Sequence, residues 1–132
     1  MSQAPSPTTL WSPSAPPNER ALSYTIGDDP HWDSRLLTWD VLGSLGHIAG
    51  LRSAELLTPR DHAQLHNHLV EALAAIERGE LSIAREHEDG HTAVELWLSQ
   101  RDPELGARLH TGRSRNDQIA CDVRLFGKDA LL

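Results

Sequence analysis

Two stretches of this sequence carry residue types that can do chemistry. The first is His-Glu-Asp-Gly-His at 87–91, the spacing at which two histidines on one helix face hold zinc while the glutamate acts as general base. The second is LHTGRSRNDQ at 109–118. With Arg108 just ahead of it, Arg113 and Arg115 bring three guanidinium groups within eight residues of an otherwise acidic chain of net charge -7. Each stretch makes a different demand on the helices around it.

The zinc arrangement requires both histidines on one continuous helix. Here Asp89 and Gly90 fall between them. Glycine costs a helix interior about 1 kcal/mol and aspartate prefers caps, so the EDG stretch reads as the approach to a helix beginning near His91. His87 and His91 then share no helix face, and a third ligand could come only from His110 or an acid. His62 and His66 are also four apart, with His68 beside them, but they read as rim histidines of an acidic helix; His31 and His47 belong to no constellation. No metal is expected.

The arginine-rich stretch makes a simpler demand. Thr111, Ser114 and Asn116 add short polar donors, Gly112 permits a tight backbone, and a helix begins immediately after. Free N–H groups and the dipole at a helix start favour an anion, and arginine's planar fork pairs with carboxylate or phosphate. The residues alone leave two readings equally open. They form a carboxylate or phosphate site, or Asn116 or Asp117 caps the helix while the arginines pair with surface acids.

The elements that would position these residues are helical. Residues 1–18 hold five of the eight prolines and no charged side chain, so an extended arm is expected, reaching to about residue 23. Leu37, Val41, Ser44, Ile48 and Leu51 mark a helix stripe over about 33–51. Thr58, Pro59 and Asp61 give a cap, a first helical position and a capping-box acid, and Leu65, Leu69, Leu73 and Ile76 follow as one stripe before Gly79. A short helix is expected over 91–99, a turn around RDPELG, a loop over ARLHTGRSR, and a last helix from Asn116 with Ile119, Val123, Phe126 and Ala130 on its stripe. No clean alternation marks a strand. The chain reads as mostly α, 132 residues fit one small domain, and the last stripe is still running at Leu132. The negative charge argues against a nucleic-acid partner, no apolar run is long enough for a membrane span, and the single cysteine, Cys121, fits a reducing, cytoplasmic setting as a small buried hydrophobe.

LHTGRSRNDQ closely resembles the first signature segment of argininosuccinate lyases, in the fumarase/aspartase superfamily. WDVLGSLGHIAGL followed by LLT is similar to that family's first long helix and turn, EDGHTAVELWL to its E-D-x-H-T-A segment, and ACDVRLFGKD to the helix after the signature. The resemblance covers roughly 26–132. It implies the N-terminal helical domain of a fumarase/aspartase-type fold over 24–115, with 116–132 opening a long central-bundle helix. It also makes the second half of HEDGH a family element, so that His87 completes the zinc spacing by chance.

What the resemblance further implies is a β-elimination that splits argininosuccinate into arginine and fumarate, in arginine biosynthesis, without a cofactor. Ser114, Arg115 and Asn116 would hold the succinyl portion of the substrate. Thr111 and Arg113 would support the loop, and His91 would lie near the pocket. No catalytic acid or base is expected within these residues: the family's T-H-x-Q and S-S-x-M-P-x-K segments have no counterpart here and are expected beyond Leu132, in a homotetramer whose sites combine three subunits. The chain alone is expected to be inactive. Two departures accompany the match. The W-G-G-R-F element is absent, and Asp29 falls near the family's usual substrate-binding serine, so YTIGDD is similar to a divergent subgroup. Asp28 and Asp29 could face a guanidinium or form the turn before Pro30. The alternatives are an inactive or structural protein of the same fold, and a lyase for another succinyl-linked amine.

Overall fold

The computed structural model describes Tyr24, residues 27–84, His87 and residues 89–132, but not the side chains of Asp29 and Pro30. The proline-rich arm and the side chain of Asp29 lie outside the described residues. Among the described residues the elements are α1 (Asp29–Asp33), α2 (Leu37–Ser53), α3 (Pro59–Glu77), α4 (Gly90–Ser99), α5 (Pro103–Arg108) and α6 (Arg115–Leu131), with no strand. None of these helices is long and apolar enough to cross a membrane.

Local chemistry accounts for most helix starts. Thr58 adopts extended backbone and its hydroxyl accepts from Asp61 N at 3.1 Å, while Pro59 fills a position that needs no donor. Gly79 follows the end of α3 with φ +70. α4 begins at Gly90 because the Asp89 carboxylate accepts from Thr92 N at 2.8 Å. The expected helix over about 33–51 is α2, which starts later, at Leu37, and ends at Ser53. α1 ends at Asp33, and a turn closed by Leu36 N donating to Asp33 O (2.8 Å) leads into α2. Asp28 O accepts from His31 N and Trp32 N, which makes the residue the entry to α1. RDPELG is likewise a helix rather than a turn. Asp102 caps it by accepting from Leu105 N, and Pro103 takes its first turn.

α2, α3 and α4 enclose the core. Val41, Ile48, Leu65 and Leu69 are almost wholly buried, on the stripes that the spacing marks, and Val94 and Leu98 of α4 and Leu109, in the segment expected as a loop, join them. Each such side chain contributes about 1.5–3 kcal/mol of transfer free energy. α5 lies tightly on the end of α4: a Cβ added at Gly106 would stand 2.8 Å from Ser99 Oγ and 3.0 Å from Ser99 N. Because a backbone atom cannot step aside as a side chain can, Gly106→Ala is expected to destabilise the protein by about 1–3 kcal/mol. Denaturant unfolding that gives an unchanged midpoint would contradict this packing.

α6 packs along α2, and it does so with its polar side. Gln118 and Asp122 are buried, whereas Ile119 and Val123, half of the expected apolar stripe, are 47% and 51% exposed. Gly43 permits the approach, since a Cβ there would meet Cys121 Sγ at 3.2 Å and Asp122 Oδ1 at 3.4 Å. Cys121 is half-buried in this seam. Ile119 and Val123 are left on the outside, while Phe126 of the same stripe is half-buried with the Arg35 guanidinium over its ring.

Candidate functional site

The arginine-rich segment runs from the end of α5 into the first turn of α6. Leu109, 1% exposed, anchors it in the core, and Gly112 turns the chain with φ +72. His47 Nε2 lies 2.9 Å from Thr111 O, so α2 holds this loop by its backbone. Burial, with the nearby Arg113 charge, pushes the His47 pKa down. Arg113 reaches back across the loop and donates to Ser44 Oγ at 2.8 Å. Its half-buried guanidinium loses hydration, which lowers its pKa against the opposing charges of Asp40 and Asp122. Thr111 and Arg113 thus brace the loop against α2.

Ser114, not Asn116 or Asp117, caps α6. Its backbone N–H and its hydroxyl both donate to Asp117 Oδ2, at 2.8 and 2.9 Å, while Asp117 N donates back to the hydroxyl at 3.4 Å. Those donors hold the Asp117 carboxyl below its ordinary value. The helix accordingly starts at Arg115, one residue ahead of the expected start. Asn116 is exposed on the first turn. The N–H groups of Arg115 and Asn116 lie where a helix leaves its first donors unpaired.

Arg115 is partly buried and already oriented. One arm of its guanidinium pairs with the Asp89 carboxylate, and the other donates to Thr92 Oγ1 at 3.3 Å. Asp89 therefore caps α4 with one oxygen and holds Arg115 with the other. A guanidinium has five N–H donors, so this grip fixes its plane and leaves donors for an anion. The remaining arginine of the cluster, Arg108, is committed to Asp61 at 2.8 Å, half exposed. The pairing of arginines with acids is thus real for Arg108 and Arg115, and for Arg115 it positions the group.

Next to Thr92, His91 is buried at the junction of α2, α4 and α6. Its Nδ1 is 2.6 Å from Asp40 Oδ2, and Gln118 Nε2 donates to Asp40 Oδ1 at 3.4 Å. Asp40, His91, Gln118 and Asp122 are all 6% exposed or less. Burial works to lower the His91 pKa, but the hydrogen bond and charge of Asp40, with Asp89 and Asp122 further away, outweigh it and raise the value. Burial and the neighbouring Asp40 charge push Asp122 up to about 7, against the opposing pull of His91 and Arg113. A cleft of about 20 Å³, room for a water molecule, opens on this cluster between Asp33, Leu37, Gly90 and Ile119.

Two carboxylates and an imidazole within 4.8 Å of one another are also a conceivable ligand set. The distances argue against it as arranged. Two donors on one zinc ion with bonds of about 2.0–2.2 Å stand roughly 3 Å or more apart, whereas Asp40 and His91 are at hydrogen-bond separation, 2.6 Å. His87 lies ahead of α4, its Nδ1 accepting from Ala84 N at 3.0 Å.

Sequence reasoning placed Thr111, Arg113, Ser114, Arg115, Asn116 and His91 around this site but missed Asp40, Asp89, Gln118 and Asp122. A signal was available for three of them. Asp40 sits on the buried stripe, three residues after Leu37 and four before Ser44. Gln118 and Asp122 are one helical turn apart on the face of α6 that meets α2. A charged residue on a stripe otherwise spaced for the core marks a buried polar partner.

No family model matches the chain, and no solved structure matches it. Curated relatives do. The chain is 44% identical over 117 residues to a protein named argininosuccinate lyase from Bacteroides fragilis, covering 89% of this chain and 26% of that one. It is 38% identical over 122 residues to the protein of that name from Sorangium cellulosum, covering 92% and 28%. For the one from Thermotoga neapolitana the identity is 37% over 122 residues, covering 92% and 31%. The chain thus spans about a quarter to a third of the length of these relatives. Its all-helical layout over the described residues is that of a fumarase/aspartase-type N-terminal domain. The matches make the chain an N-terminal portion of the argininosuccinate lyase family.

Proposed function

We propose that the protein carrying this chain is an argininosuccinate lyase, and that these residues supply its succinyl-carboxylate loop through Ser114, Arg115 and Asn116. The observation that carries the reading is the held guanidinium of Arg115 at the start of α6, fixed by Asp89 and Thr92 beside two free helix N–H groups. In the β-elimination a base removes a proton from the carbon next to a carboxylate. Negative charge accumulates on that carboxylate, the C–N bond breaks, and the leaving guanidinium takes a proton. Donors oriented before the reaction stabilise that accumulating charge without having to reorganise. The base and acid belong to segments outside these residues. Asn116 can turn its amide to the same carboxylate, and Ser114 can do so by exchanging its bond to Asp117.

The proposal places the protein in arginine biosynthesis, in the cytoplasm, as a homotetramer in which residues 24–115 form the helical N-terminal domain and 116–132 open a central helix. The exposed stripe of Ile119 and Val123 supports a further packing partner for α6. The test is to incubate the complete protein with argininosuccinate and measure fumarate and arginine together. Equimolar release of both is expected. Fumarate from a different succinyl-linked amine, and none from argininosuccinate, would replace the substrate. No release from any such compound would leave a structural relative of the enzymes.

A further inference from the structure

We propose that Asp40 is a positioning residue for the lyase reaction: through its bond to His91 Nδ1 it fixes the imidazole as a second cation beside Arg115, at the site where the substrate carboxylates gather charge. The inference rests on the lyase reading for its functional half; the pairing itself stands on geometry. Asp40 and His91 are 51 residues apart, on α2 and α4, and meet at 2.6 Å with both side chains under 8% exposed. Gln118 of α6 holds the other Asp40 oxygen, so the carboxylate is fixed from two sides. With Nδ1 engaged, the opposite edge of the ring is the one left for the cleft that His91 lines, and Asp89, whose carboxylate holds the guanidinium of Arg115, is close enough to act on the same ring.

The charged surroundings favour a proton on this ring. Asp40 faces it from α2, Asp89 from the start of α4 and Asp122 from α6, while Asp33 lies across the cleft. The cations in the vicinity are Arg113, which acts on the carboxylates Asp40 and Asp122, and Arg115, which is paired with Asp89. An imidazolium held in this way brings a positive charge and an N–H donor that a neutral histidine would not combine. Asp40 itself touches no substrate; its effect passes through the ring.

The experiment uses the complete protein, with His91 assigned in an NMR titration of its histidine ring signals and with kcat/KM for argininosuccinate measured against pH. In the unsubstituted protein His91 is expected to titrate above the ordinary histidine range. In Asp40→Asn its midpoint falls to that range or below, and kcat/KM at pH 8 drops by about tenfold to a hundredfold, with much of the loss recovered at pH 6. Asp40→Glu keeps the charge and is expected to restore part of the profile. A merely structural Asp40 would lower the melting temperature and leave the pH profile where it was, which overturns the proposal. So does a His91 that titrates at or below its ordinary value in the unsubstituted protein, a result available even where Asp40→Asn does not fold. An unsubstituted protein that releases no fumarate while His91 titrates high overturns the lyase reading and with it the functional half, leaving the Asp40–His91 pair in place.

Discussion

Replacing Arg115 by alanine in the complete protein is expected to lower kcat/KM for argininosuccinate by on the order of 10²–10³-fold or more, the loss that follows removal of one oriented donor from a developing anion. That corresponds to about 2.7–4 kcal/mol of transition-state stabilisation. The cost to the fold should be much smaller. Arg115 and Asp89 keep 28% and 22% of their side-chain surface in contact with solvent, so the abandoned carboxylate can be hydrated. Asp89 also retains its bond from Thr92 N, which keeps α4 capped. A pair with this much solvent access contributes about 1 kcal/mol or less. The two effects therefore separate: kcat/KM collapses while the melting temperature moves little. Arg115→Lys should rescue poorly, because one ammonium cannot meet Asp89, Thr92 and a substrate carboxylate in fixed directions at once. Near-normal turnover in Arg115→Ala would remove Arg115 from the substrate site. A large loss of stability with proportionate activity would make it a structural clamp.

The segment that carries this residue was easier to find than the residues that make it work. Three arginines and a helix start within one short stretch are a local signal, visible without any fold. The partner of Arg115 is not local: Asp89 lies 26 residues earlier, at the start of another helix, where it reads correctly as a cap. Its second oxygen has a second use that no periodicity reports. The same holds for Asp40 and His91, which only the packing of α4 on α2 brings together.

Helix starts followed the same division. Thr58 and Pro59 were legible because a long stripe follows them, while Asp102 and Pro103 repeat the same cap-and-proline chemistry ahead of a helix of six residues, too short for a period to emerge. α6 shows the limit of the stripe itself. Its apolar residues are spaced as a helix face should be, yet Ile119 and Val123 are about half exposed, and Gln118 and Asp122 face the rest of the protein. Periodicity reports that a face exists, not what it meets.

A polar face turned inward has a consequence for stability that can be measured. Asp122 titrates at about 7 in the folded protein against an ordinary value of 3.8, chiefly because it is buried and secondly because Asp40 is beside it. Between those values the folded protein holds a proton that the unfolded chain has released, so stability falls as pH rises from about 4 through 7. His91 acts in the same direction, since its raised pKa gives stability that is present below the ordinary histidine value and lost as pH climbs through the folded one. His47, with its lowered pKa, opposes them, its contribution being lost as pH falls. The gap at Asp122 corresponds to about 2–4 kcal/mol. Asp122→Asn removes that titration while keeping the shape. The variant is expected to match the unsubstituted protein within about 1 kcal/mol near pH 4 and to exceed it by about 2–4 kcal/mol at pH 8, read from denaturant midpoints at a series of pH values. A variant less stable at pH 8, or one with the original slope, would mean that Asp122 is ionised at no cost, which requires a partner at its carboxylate. The predicted gain also bears on why an acid stands there. A carboxylate that weakens the fold at neutral pH, placed against Asp40 and His91, fits a cluster whose charge serves the site rather than the core.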